Sequence, residues 1–223
     1  MISLTKRSAR PRWSLKQSFW VMVVIALFDF GLVCGLLERP FWQEIEIAST
    51  LIGLFVGWAY SAPPLRLAAR GMGELAIALG WALVVVGSDF VQRGAFELHT
   101  IIAGLSFGLM VANLLYINQF PDAVADAAAG KRTVVARLGR RAAVGGYAVI
   151  AVCAAFNLLA AVAVGLFPLA SLIALLAMIP AFKAWRLLRD NAENPAALRP
   201  AIQATIAAAH LFGLLLAAAL AFA

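Results

Sequence analysis

The stretch NQFPDAVADAAAGKRT, residues 118–133, decides how this chain is read. Long apolar runs flank it, and within it Asn118, Asp122 and Asp126 recur every fourth residue. On an α-helix each step of four drifts by only about 40°, so the three side chains share one face. Pro121 lies among them. Proline disrupts a helix interior but suits the first turn of a new helix. The expectation is therefore a spanning helix that ends or kinks near Gln119, then a short helix carrying Asp122 and Asp126 over the membrane face.

Two carboxylates one turn apart, with the Asn118 amide a turn earlier, offer hard oxygen ligands. Such a set suits Mg²⁺, which keeps several waters and commonly joins a few carboxylates to substrate phosphates. Lys131 and Arg132 follow and would supply positive charge for the same phosphates. Gly130 permits the turn that brings them back. The spacing alone equally fits a solvated loop whose basic residues only anchor the orientation of the chain.

The surroundings favour a membrane. The chain has 223 residues, of which 64% are hydrophobic and 13% charged, with a mean hydropathy of +0.92. Soluble domains are about half apolar and about a quarter charged, so a lipid bilayer is the natural solvent and partner. The net charge of +7 does not gather into a soluble basic face, which argues against nucleic acid as a partner. Cys34 and Cys153 both sit in apolar runs, with neither disulfide nor metal-site spacing.

Seven apolar segments are expected as spans of an all-α multi-pass bundle: Ser18–Leu37, Ile47–Ala62, Glu74–Val91, Thr100–Ile117, Ala142–Leu166, Phe167–Phe182 and Ala201–Ala223. Residues 1–17 form a basic tail, and 18–223 the membrane domain. With the N-terminus in the cytoplasm, sixteen of the eighteen Lys and Arg fall on the inner side and only Arg39 and Arg93 outside. That asymmetry is what the positive-inside rule requires. It places the C-terminus outside and the chemistry of the long loops at the cytoplasmic face, as in a bacterial cytoplasmic membrane protein.

The sequence resembles the UbiA superfamily of membrane prenyltransferases. The string from Asn118 through Asp122, Asp126, Gly130, Lys131, Arg132 and Thr133 to Arg137, Leu138 and Gly139 is similar to that family's second aspartate-rich motif. The segment YSAPPLRLAARGMGELAIALGW, residues 60–81, resembles the family's loop between its fourth and fifth spans, with Tyr60, Pro64, Arg66, Gly71, Gly73 and Glu74 on recurring positions. GSDFVQRG, residues 87–94, is similar to the members that prenylate dihydroxynaphthoate, of the kind used in menaquinone biosynthesis. The resemblance implies Mg²⁺-dependent transfer of a polyprenyl group from an allylic diphosphate to an aromatic acceptor. It implies that Asp122 and Asp126, assisted by Asn118, hold the metal, that Lys131, Arg132 and Arg66 bind diphosphate, and that Tyr60 lines the reaction pocket.

The family pattern has nine spans and a first aspartate-rich motif after the second. The seven segments here correspond to spans three to nine, and the residues before Ser18 contain no acid. Three expectations follow: a start lying further upstream, a separate N-terminal fragment acting as partner, or a paralogue without activity. The rival class is a transporter or assembly protein that keeps the fold. Transporters carry paired polar sites at mid-membrane, whereas the only mid-span candidates here are Asp29 and His210.

Asp29, in a predicted span, would cost about 2.5–3.5 kcal/mol to insert and is read as a packing residue facing the bundle. His210 is read as packed or hydrogen-bonded, Asp89 as structural, and Glu74 as an expected partner for Arg66 or Arg70.

Overall fold

The computed structural model describes the backbone of residues 40–222 and the side chains from residue 51 onward. The tail of residues 1–17, the segment Ser18–Leu37 and Asp29 lie outside the described residues. The chain divides into two compact units, residues 1–58 and 59–223. Helix α1 (Pro40–Ser61) runs across this boundary, with Ala59–Ser61 in the second unit, and in the first unit the rings of Phe55 and Trp58 lie 5.9 Å apart.

The second unit holds six further α-helices: α2 (Gly73–Arg93), α3 (Leu98–Ala128), the short α4 (Val134–Leu138), α5 (Arg140–Ala163), α6 (Met178–Asn191) and α7 (Arg199–Ala221). A 3₁₀ segment, Leu169–Ala177, runs straight into α6, so that Leu169–Asn191 forms one apolar helical stretch of 23 residues. Among the described residues, five helices are long and apolar enough to cross a membrane. The protein is a multi-pass integral membrane protein with an all-helical fold.

Helix α3 is the hub. It packs on α2, α4, α5 and α7. It is also the main departure from expectation. The chain neither ends nor kinks into a separate helix near Gln119; α3 continues for 31 residues with Pro121 inside it. At 1.5 Å per residue that is about 46 Å, against a hydrocarbon core of about 30 Å. The excess is enough for about three turns outside the apolar slab, and the last turns are those that carry Asp122 and Asp126; Pro121 cannot donate to the carbonyl of Ile117, a residue of the core. The Arg140 Nε group donates to the Phe120 carbonyl at 2.8 Å beside the proline.

Small residues let the helices approach. A Cβ on Gly104 would lie 2.9 Å from the Ala82 carbonyl oxygen, and one on Gly108 would overlap that of Ala78. This is a small-x-x-x-small seam in which α2 and α3 meet backbone to backbone. Gly146 of α5 similarly makes room for the Tyr116 hydroxyl, which donates to the Ala143 carbonyl at 2.7 Å. Asn113 Nδ2 donates to the Tyr147 carbonyl at 3.2 Å, and the Tyr147 hydroxyl meets Thr205 Oγ1 at 3.0 Å. Buried polar groups thus join α3, α5 and α7, while Val149, Val152, Phe156 and Leu159 form an exposed apolar stripe on α5 that suits lipid.

Gly108→Ala should lower the thermal stability of the purified protein, since the α2–α3 seam must open at a cost of about 1–3 kcal/mol. Gly145→Ala, on α5 where a Cβ meets nothing within 4 Å, should be neutral or stabilising by up to about 1 kcal/mol. Unfolding curves in detergent compare the two.

Candidate functional site

The projecting end of α3 is built to turn back on itself. Gly130 adopts φ 74°, a left-handed conformation that glycine takes without a Cβ penalty. Its N–H bonds to Ala127 O at 3.0 Å and that of Lys131 to Asp126 O at 2.9 Å. This pair of bonds is a Schellman cap. It reverses the chain so that Lys131 Nζ reaches Asp126 Oδ1 at 2.7 Å. Gly130 therefore plays the turning role read from the sequence.

Residues 131–133 connect α3 to α4 outside any helix, with Thr133 extended at φ −60° and ψ 161°. Lys131 and Thr133 face one cleft and Arg132 another. The Arg132 N–H bonds to Ala69 O at 2.7 Å, which fastens this segment to the turn Leu67–Arg70. Thr133 then caps α4, its hydroxyl accepting from Ala136 N–H at 3.3 Å.

The first cleft encloses about 140 Å³ and is lined by Tyr60, Ala68, Gly73, Leu115, Asn118, Gln119, Asp122, Asp126, Lys131 and Thr133. Asp122 and Asp126 share its wall one helical turn apart, Asn118 lies a turn before them, and Tyr60 comes from the last turn of α1. Asp122 is exposed, whereas Asp126 is almost buried. Of the expected site residues, five meet here: Tyr60, Asn118, Asp122, Asp126 and Lys131. Arg132 lines the neighbouring cleft with Arg70 and Arg137, and Arg66, exposed and at φ 45°, lines neither.

The donor set fits a hard divalent ion that retains water. Two carboxylates and one amide face a polar cleft, and Lys131 occupies only one oxygen of Asp126. Among the described residues no group of three or more His, Cys, Asp and Glu gathers. An ion held here would complete its shell with water and phosphate oxygens, as Mg²⁺ commonly does.

One residue of the cleft was not expected. Gln119, buried at the foot of the acidic face, donates from Nε2 to Glu74 Oε1 and accepts at Oε1 from Val135 N–H at 3.4 Å. It thereby joins the starts of α2 and α4 to α3. Glu74 pairs with this amide rather than with Arg66 or Arg70, because the first turn of α2 faces α3. The signal in the sequence was a polar residue beside Asn118, which the aspartate spacing overshadowed. Asp89 is structural at the other end of α2, held by Thr100 at 2.8 Å and Arg93 at 2.8 Å. His210 Nδ1 lies 2.9 Å from the Ile206 carbonyl of its own helix.

The profile of the UbiA prenyltransferase family matches residues 5–206. The chain belongs to that family. Among its relatives, a 2-carboxy-1,4-naphthoquinone phytyltransferase of Synechocystis is 26% identical over 126 residues, covering 54% of this chain and 40% of the relative. The 1,4-dihydroxy-2-naphthoate octaprenyltransferases of Haemophilus influenzae and Bacillus subtilis are 25% and 24% identical, covering 56% and 60% of this chain and 42% and 43% of theirs. The chain thus spans about two fifths of the length of the curated relatives it matches. No solved structure matches.

Gln119→Leu should cost about 1–3 kcal/mol, because the Val135 N–H and the Glu74 carboxylate would lose their partner in a part-buried site. Thermal unfolding of the purified variant measures this, with Gln119→Glu expected to be worse because it sets a second carboxylate against Glu74.

Proposed function

We propose that this protein acts in the transfer of a polyprenyl group from an allylic diphosphate to an aromatic acceptor, with dihydroxynaphthoate the best-supported acceptor class. The observation that carries this reading is the convergence of Asp122, Asp126, Asn118, Lys131 and Tyr60 on one cleft beside the last turns of α3. A lipid-linked diphosphate needs such a place, with its head in a polar cleft and its tail in the bilayer. The asymmetry of the cations supports a cleft that opens at the cytoplasmic face. The names of the relatives support the naphthoate class.

Asp122 and Asp126, with Asn118, would hold Mg²⁺ through oxygen ligands. When bound, Mg²⁺ supplies Lewis-acid charge that favours departure of the diphosphate. Lys131 stands at the mouth of the same carboxylate pair and offers two further Nζ–H donors to phosphate oxygens while one remains on Asp126. Tyr60 presents its phenol to the cleft as another donor. Leu115 and Ala68 form the drier side, where an allylic carbon losing its C–O electron pair to the diphosphate would be kept from water. The acceptor ring then forms the new C–C bond and releases a proton.

Prenyl diphosphate titrated with Mg²⁺ should bind at least about tenfold more weakly, some 1.4 kcal/mol, to Asp122→Ala or Asp126→Ala than to the parent protein. Equal binding by both variants overturns the assignment. Lys131→Met should weaken diphosphate binding less than it weakens turnover, if its charge acts mainly on the leaving group. Parallel binding and rate assays separate these effects.

A further inference from the structure

The second cleft has a different character from the first. It is a space of about 350 Å³ lined by Arg70, Arg132 and Arg137, and no acidic residue shares its lining. The three cations come from segments held together by backbone bonds. Arg132 is tied to the turn at Ala69. Arg70 Nη2 donates to the Pro64 carbonyl at 2.8 Å, so its guanidinium is braced. Arg137 occupies the last turn of α4, and a Cβ on Gly71 would lie 3.6 Å from its Nη1 and 3.0 Å from Arg132 O. Gly71, at φ 79°, follows Arg70 and lies against the Arg132 backbone and the Arg137 guanidinium.

Three guanidinium groups gathered around one space repel one another, and a bound anion would relieve that repulsion. Among the described residues the ion pairs are Arg93–Asp89, Lys131–Asp126 and Arg189–Asp190, and none of them involves these arginines. Planar guanidinium groups match phosphate oxygens by paired hydrogen bonds. We propose that Arg70, Arg132 and Arg137 form a second anion site that takes a phosphate group without a divalent metal, separate from the Asp122–Asp126 cleft. The phosphate comes either from an anionic lipid headgroup or from free phosphate in the aqueous phase. Residues 131–133 line both clefts, so an anion here would also steady the segment that carries Lys131.

The test uses the full chain purified in a zwitterionic detergent with EDTA, which removes metal-dependent binding. One arm titrates inorganic phosphate and follows it by phosphorus NMR. The other counts phosphatidylglycerol against phosphatidylcholine adducts by native mass spectrometry. Binding in the first arm identifies free phosphate as a ligand, and preference for phosphatidylglycerol in the second identifies the headgroup. In whichever arm binds, Arg70→Gln/Arg137→Gln should weaken it about tenfold. Arg141→Gln/Arg186→Gln removes the same charge from exposed positions outside the cleft and should leave it unchanged. Asp122→Asn/Asp126→Asn should also leave it unchanged, which separates this site from the metal-dependent one. Absence of binding in both arms, an intact affinity in Arg70→Gln/Arg137→Gln, or an equal loss in the exposed pair would overturn the proposal.

Discussion

The geometry of this protein depends on one mismatch of lengths. Helix α3 is about half again as long as the hydrocarbon slab is thick, long enough for its final turns, which carry Asp122 and Asp126, to lie outside it. That overhang allows a proline, an amide and two carboxylates to occupy one continuous helix. The Schellman cap at Gly130 then folds the chain back within a single turn, and Lys131 returns to Asp126 at 2.7 Å. Without the overhang the acids would lie at a depth where charge is costly. Without the reversal the basic residues would point away from them.

Much of the architecture was legible from apolar runs, because lipid leaves the backbone few options besides helices. The expected Glu74–Val91 and Ala201–Ala223 match α2 and α7 to within about two residues at each end. The misjudged boundary was at Pro121, where the rule that proline ends a helix was given too much weight. Packing of Ile117, Phe120 and Ala123 into one core cluster holds the helix on course past the proline. The sixth expected segment was also cut short at Phe182. Its helix continues to Asn191 and carries Lys183, Arg186 and Arg189.

The candidate site was partly legible. Residues placed by helical periodicity, Asn118, Asp122 and Asp126, gather as their spacing requires. Residues in the segment after the helix were harder, because no helical periodicity fixes which way each side chain faces. Lys131 and Arg132 look equivalent in the sequence, yet they line different clefts. Gln119 and Glu74 were the least legible, since their pairing spans 45 positions and no local pattern announces it.

The hydrogen bonds that tie α3 to α5 and α7 bear on how the protein is made. Every residue lining the acidic cleft lies between Tyr60 and Thr133, and α2 and α3 can close their glycine seam as soon as both have left the ribosome. Tyr116 finds the Ala143 carbonyl, and Tyr147 finds Thr205, only after later helices insert. The cleft is thus drafted early in biogenesis and braced late. During that interval the nascent chain holds its polar side chains in place without the buttress that will keep them there.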